Sequence, residues 1–289
     1  MRRSRLFCEG SAEELVVDRI RVDGAEIAYE VRGEGEPVLL IPLSVIIDGL
    51  AHPLFRRAAL AEANRLIHYH RRGWSGSTLG DGPSRVARQA ADAIALLEHL
   101  EIERAHVAGH SYGGVIALQL ALDAPELVHS LALLEPALRA GPEGQAHLQR
   151  IIGPARERYI SGDKRGFITV FTDGVFGAGW ETIVEGAVPG AIEQAVADAD
   201  TFFAEQPALL EWKFGPEEAA KIKQPVLSVL GTRSAPLFHE GRTVLHAWFP
   251  QAENLDVNTT HMLQIEDPAS VADGLAAFFA RHPISKLGS

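Results

Sequence analysis

Cysteine is almost missing. The 289 residues contain only Cys8, which excludes an internal disulfide framework and any zinc site built on thiolates. Long apolar runs are missing too: no stretch of about 18 uncharged apolar residues occurs, so no membrane-spanning helix is predicted. The basic start (Arg2, Arg3, Arg5) meets Glu9, Glu13 and Glu14 before any apolar segment, so no secretory leader is expected. Ser285-Lys286-Leu287 resembles a peroxisomal address but is followed by Gly288-Ser289. Basic residues number 27 against 38 acidic, and the net charge of −11 repels phosphate backbones, so nucleic acid is not an expected partner. These absences point to the cytoplasm. With 46% hydrophobic and 22% charged residues, the chain can bury a sizeable core as one large domain or two small ones.

Strand-like and helix-like segments alternate. Leu15 to Val22 and Glu26 to Val31 flank Asp23-Gly24, a hairpin signal. Pro37 to Pro42 is a short apolar run that reads as a strand buried on both faces. A helical stretch from Pro53 to Asn64, a strand from Arg65 to His70 and the turn-rich Arg71 to Ser77 follow. Val86, Ala90, Ala93, Ile94, Leu97 and Leu100 recur at helical spacing, and then come a strand at Ala105 to Ala108, a helix at Gly113 to Leu122 and a strand at Val128 to Leu134. Such alternation builds βαβ units, hence a parallel sheet with helices on both faces. Residues 137–223 read as helical without a clear strand and hold half of the Phe and Trp residues, among them Phe167, Phe176, Trp180, Phe202 and Trp212. Alternation then resumes with strands at Val226 to Leu230 and Asn254 to Val257, and helices at Gly241 to Trp248 and Pro268 to Arg281. The expected fold is α/β, with residues 1–136 and 224–289 as the core domain and 137–223 as an inserted helical domain.

Between a strand and a helix stands Gly109-His110-Ser111-Tyr112-Gly113, a G-x-S-x-G pattern. A serine on so sharp a turn is pushed out at the sheet edge, and neighbouring side chains would collide, so glycines sit there. The helix that follows aims backbone N–H groups at developing negative charge.

With this elbow, its Ala/Leu helix and Leu133-Leu134-Glu135-Pro136, the chain resembles the α/β-hydrolase family, its esterase, aminopeptidase and dehalogenase-like branches. Arg72-Gly73-Trp74-Ser75-Gly76-Ser77 is similar to the loop after the family's fourth strand, and the helical insertion to its cap, or lid. The resemblance implies Ser111 as nucleophile and a histidine late in the chain as base. His261, within Asn258-Thr259-Thr260-His261-Met262, occupies that place. The family's acid usually follows its seventh strand, but Gly231 to Pro236 carries no carboxylate before Glu240. Some members carry it after the sixth strand, where Glu135 stands, so Glu135 is the expected partner of His261. Glu240, Asp256 and a Ser–His site without an acid are the rivals.

Tyr112 is the expected first donor to an oxyanion, by its backbone N–H. The second should come from the loop after the third strand, where the family has His-Gly and this chain has Pro42-Leu43-Ser44; proline has no N–H, so Leu43 or Ser44 must donate. At His70 the family commonly has Asp. His52, His68 and His70 lack an acidic or cysteine partner at metal-binding spacing, so no metal is expected, and no cofactor either. The expected function is a serine hydrolase of carboxylic esters or lactones, with a small apolar substrate. A C–C bond hydrolase, an aminopeptidase-like enzyme using cap acids (Glu157, Glu181, Glu185 or Glu193) and a non-enzymatic ligand binder stay open, as does a homodimer.

Overall fold

The structure, a computed structural model, describes residues 4–5, 16–49, 51–138 and 141–284; Cys8, Leu15 and Ser285-Lys286-Leu287 lie outside them. Among the described residues nine strands form one sheet: β1 (Ser4–Arg5), β2 (Val16–Val22), β3 (Ala25–Arg32), β4 (Glu36–Ile41), β5 (Asn64–Tyr69), β6 (Ala105–His110), β7 (Val128–Leu134), β8 (Val226–Gly231) and β9 (Glu253–Val257). Their order is β1-β2-β3-β5-β4-β6-β7-β8-β9. The pairings from β1 to β5 are antiparallel, and every pairing from β5 onward is parallel. The β2–β3 hairpin turns on Asp23 (φ 43°) and Gly24 (φ 76°), the two positive φ values of a two-residue primed turn.

Each central strand is buried on both faces, and alternate side chains feed different cores. Leu39 and Ile41 of β4 pack with α3 (Val86–His99) and α4 (Tyr112–Asp123), while Val38 and Leu40 pack with α1 (Ala51–Phe55) and the chain-closing helix Pro268–Arg281. The expected helix from Pro53 to Asn64 is instead two short ones, α1 and α2 (Ala58–Ala61), broken by Arg57 in an extended conformation, and Asn64 already belongs to β5. The break lets Leu54, Phe55 and Leu60 all reach the same core.

Between β7 and β8 the described chain is helical: α5 (Pro142–Ile160), α6 (Lys164–Phe176), α7 (Trp180–Ala187), α8 (Ala191–Ala197), α9 (Ala199–Glu211) and α10 (Pro216–Ala219). α11 (Pro236–Trp248), α12 (Leu263–Glu266) and α13 (Pro268–Arg281) follow β8 in the described chain. Phe167, Phe176, Trp180 and Phe202 share one apolar cluster with Leu43, Val45, Ile46, Trp74, Leu230, Phe238 and Met262, so the inserted helices pack onto loops at the carboxyl ends of the strands. No described helix is long and apolar enough to cross a membrane. Because β5 and β6 lie on opposite sides of β4, the crossovers diverge there, at the kind of switch point where open α/β sheets carry their sites beyond the carboxyl ends of the strands.

Some glycines are constrained by close packing and others are not. A Cβ on Gly113 would strike the Ile41 carbonyl oxygen, and Gly186, inside α7, has open space around it. Gly113→Ala is therefore expected to destabilise the fold by about 3 kcal/mol through overpacking, and Gly186→Ala to stabilise it by about 0.5 kcal/mol through helix propensity. Urea unfolding of both variants checks the two signs.

Candidate active site

Ser111 lies between the end of β6 and the start of α4 with φ 54° and ψ −117°, a strained backbone for a residue with a side chain. The clearance comes from three glycines. A Cβ on Gly109 would strike the Gly113 backbone, one on Gly113 the Ile41 backbone, and one on Gly114 the ring of Pro136. Neighbouring backbone holds the turn: Ser111 N–H donates to the Leu134 carbonyl (2.9 Å), and Ala137 N–H donates to the Ser111 carbonyl (3.0 Å). The elbow is thus tied to the end of β7, where Glu135 sits in its own left-handed conformation (φ 42°).

Glu135 and His261 meet there. The His261 Nδ1–H donates to Glu135 Oε2 at 2.5 Å, and Gly231 N–H, from the end of β8, donates to Oε1 at 2.7 Å. Both side chains are buried, and Phe238 stacks on the His261 ring at 3.8 Å between centroids. Burial pushes the Glu135 carboxyl up to about 7, outweighing the bonds it accepts, and pushes the His261 imidazole down to about 3. His261 is therefore a neutral imidazole whose Nδ1 proton is engaged by the carboxylate and whose Nε2 carries no proton. Among the described residues Nε2 makes no hydrogen bond, to Ser111 or to any other group. The ring lies 4.6 Å from that of His110, the residue next to Ser111. Gln264 Nε2 donates to His110 Nδ1 (3.2 Å) and to the Gly49 carbonyl (2.9 Å).

The loop after β4 closes the other side. The Ile41 and Pro42 carbonyls press on Gly113, which brings Leu43 and Ser44 to the first turn of α4, where Tyr112 begins the helix. Three residues from Pro42, Val45 has φ 76°. A β-branched residue there is an outlier that the surroundings must hold.

The model of the alpha/beta hydrolase family matches residues 39–274 of this chain. The chain belongs to the alpha/beta hydrolase family. Over 116 residues, 40% of this chain, it is 37% identical to the putative carbamate hydrolase RutD of Azorhizobium caulinodans; the chain thus matches 43% of that relative's length. A hydrolase from Pseudomonas aeruginosa PA01 superposes with a TM-score of 0.69 at 25% identity, over 91% of this chain and 98% of the other. The enol-lactonase of Burkholderia xenovorans LB400 shares the fold with a TM-score of 0.76 at 22% identity, over 91% and 100%.

The rival acids are engaged elsewhere. Glu240 accepts the Glu143 and Gly144 N–H groups at the start of α5, and Asp256 pairs with Arg242. Glu157, Glu181, Glu185 and Glu193 are all exposed. The buried carboxylate of the inserted helices is Glu205, which the sequence reading passed over. Its signal was legible: Ala199, Phe202, Glu205 and Ala208 form the buried stripe of α9 at three-residue spacing.

The histidines, by contrast, do have an acidic partner. Asp48, in a 3-10 turn (Ile47–Gly49), brings a carboxylate to His68 (3.3 Å) and His70 (2.9 Å), the three donor atoms lying within 4.8 Å of one another. The donor types suit a metal, but the imidazoles do not. Gly76 N–H donates to His70 Nδ1 at 3.0 Å, so the proton of the neutral ring sits on Nε2, the atom a metal would need. His68 Nδ1 is buried without an acceptor for the proton that metal binding at Nε2 would put there. Burial pushes the Asp48 carboxyl up, and the two N–H donors outweigh this and hold it well below the usual carboxylate range. The cluster fits an anchored carboxylate that ties the 3-10 turn to β5. Asp48→Ala is expected to cost about 2–3 kcal/mol in urea unfolding, and zinc to leave the wild-type midpoint unchanged; a zinc-induced rise would identify a metal site.

Proposed function

We propose that this chain is a serine hydrolase of carboxylic esters or lactones, working through an acyl-enzyme on Ser111. The observation that carries the reading is the strained Ser111 turn, bonded to the strand end whose Glu135 holds His261. In this reading Ser111 Oγ attacks the substrate carbonyl carbon as His261 Nε2 takes its proton. Glu135 accepts the Nδ1–H, fixes the tautomer and stabilises the imidazolium. The oxyanion is received by the Tyr112 N–H and by the Leu43 or Ser44 N–H. Nε2 then gives its proton to the departing alkoxide, and a water activated by the same nitrogen releases the acid. The missing Ser111–His261 hydrogen bond forms as substrate binds, since such contacts commonly tighten only in the complex.

Residues 137–223 act as the cap over residues 1–136 and 224–289. Phe176 of the cap and Phe238 both stack on His261, an apolar environment that supports an apolar substrate. The partial likeness to a putative carbamate hydrolase supports hydrolysis. Neither C–C bond cleavage nor ligand binding without catalysis has an observation of its own in its favour. Aminopeptidase-like cleavage needs a free acid for the substrate amine, and Glu205 is paired with Arg71.

A fluorophosphonate probe should label the wild-type chain and not Ser111→Ala; labelling that survives the substitution would refute the assignment. Glu135→Ala should lower kcat on aryl esters by about 10^3–10^4-fold, with Glu240→Ala and Asp256→Ala near wild type. A wild-type rate in Glu135→Ala would contradict the role given to that residue. The buried pair takes up a proton as pH falls through about 7, and the protonated pair has no free base. The pH profile of kcat/KM should therefore be flat above that region and fall about tenfold per pH unit below it; activity retained at pH 5 would contradict the pairing.

A further inference from the structure

Glu205 of α9 is 1% exposed and Arg71, in the loop two residues after β5, is 0% exposed, so a full ion pair is buried between the inserted helices and the loops of the sheet. Arg71 Nη1 donates to Glu205 Oε2 at 2.7 Å, and Nη2 donates to Oε1 at 3.2 Å. Trp74 Nε1–H donates to Oε2 at 3.2 Å, and the Ser44 hydroxyl donates to Oε1 at 2.5 Å. The pair also reaches the elbow. Arg71 Nη2 donates to Ser44 Oγ (3.1 Å) and to the Leu43 carbonyl (3.4 Å), and the guanidinium lies 4.9 Å from the centre of the Tyr112 ring. Arg71 Nη1 bonds Gln89 as well, and Gln89 Nε2 donates to the Tyr112 hydroxyl.

One ion pair thus touches Tyr112 and both Leu43 and Ser44, one of which the acyl-transfer reading makes the second donor to the oxyanion. The loop that supplies this second donor needs such support. It has no glycine, it begins with Pro42, and Val45 is held at φ 76°. A strained loop keeps its shape only where its surroundings over-determine it. Here the contacts on Leu43 and Ser44 come from Arg71 and from a carboxylate on the inserted helices.

We propose that Arg71 and Glu205 are positioning residues for the oxyanion site, so that docking of α9 sets the Leu43–Ser44 loop. This rests on the acyl-enzyme reading. The pair binds no substrate and takes no proton; it places the N–H groups. Removing it lowers the rate of oxyanion formation and leaves ground-state substrate binding unchanged.

A buried ion pair can often be replaced by apolar residues of similar volume without loss of stability, so Arg71→Met/Glu205→Leu separates positioning from folding. The double variant is expected to keep the wild-type urea midpoint and KM for aryl esters. Its kcat and its rate of fluorophosphonate labelling should fall about 100-fold, the scale of losing one oxyanion donor. Its affinity for an aryl trifluoromethyl ketone, which forms the same oxyanion on Ser111, should fall by the same factor. A folded double variant that labels at the wild-type rate overturns the proposal. Should the double variant not fold, Ser44→Ala decides: kcat is expected to fall about tenfold, a part of the loss of one oxyanion donor, with KM kept and the urea midpoint lowered because the buried Glu205 carboxylate loses a donor, and an unchanged kcat overturns the proposal. Failure of the wild-type chain to label at all sinks the acyl-enzyme reading itself, and this inference with it.

Discussion

The structure turns on one strained residue. Ser111 can keep a positive φ only because Gly109, Gly113 and Gly114 admit the Gly113, Ile41 and Pro136 atoms that a Cβ would displace. Its N–H and carbonyl are meanwhile bonded to the segment carrying Glu135. That interlock puts the end of β6 in register with the end of β7, and Gly231 N–H ties β8 to the same carboxylate. The loops that bear Ser111, Glu135 and His261 are therefore fixed by the sheet, and side-chain geometry follows from backbone packing.

A comparison inside the molecule shows what the turn contributes. Ser130, His106 and Glu36 also form a serine–histidine–carboxylate chain, with His106 Nδ1 2.7 Å from Ser130 Oγ and Nε2 3.1 Å from Glu36 Oε2. Ser130 lies within β7, fully buried. It has no sharp turn to expose it and no helix start to meet an oxyanion. Residue types and hydrogen bonds alone do not make a nucleophile; the bend and the N–H groups around it do.

Much of this was legible in the sequence. Runs such as Val38-Leu39-Leu40-Ile41 and Val128 to Leu134 are apolar without alternation because both faces are covered, and β7 keeps its expected bounds. Ser111 was legible from its glycines, and the meeting of Glu135 with His261 from the resemblance to the family, some of whose members carry the acid after the sixth strand, together with the lack of a carboxylate between Gly231 and Pro236. Other contacts depend on strand order, which no local pattern encodes. Glu30, Asp48, His52 and His68 come from β3, the 3-10 turn, α1 and β5, and they gather only because β5 inserts between β3 and β4. Arg71 and Glu205 are 134 residues apart in the chain. Their pairing appears only once the inserted helices are seated on the sheet.

The central claim is that the hydroxyl lifted by this turn carries the acyl group during turnover. Acid-quenching a reaction with an aryl ester in its first milliseconds, then mapping the digested chain by mass spectrometry, reads this directly. The account predicts a burst approaching one equivalent of aryl alcohol per chain and an added acyl mass on Ser111. Sustained turnover with the acyl mass on another residue, or with no burst and no adduct, would contradict it.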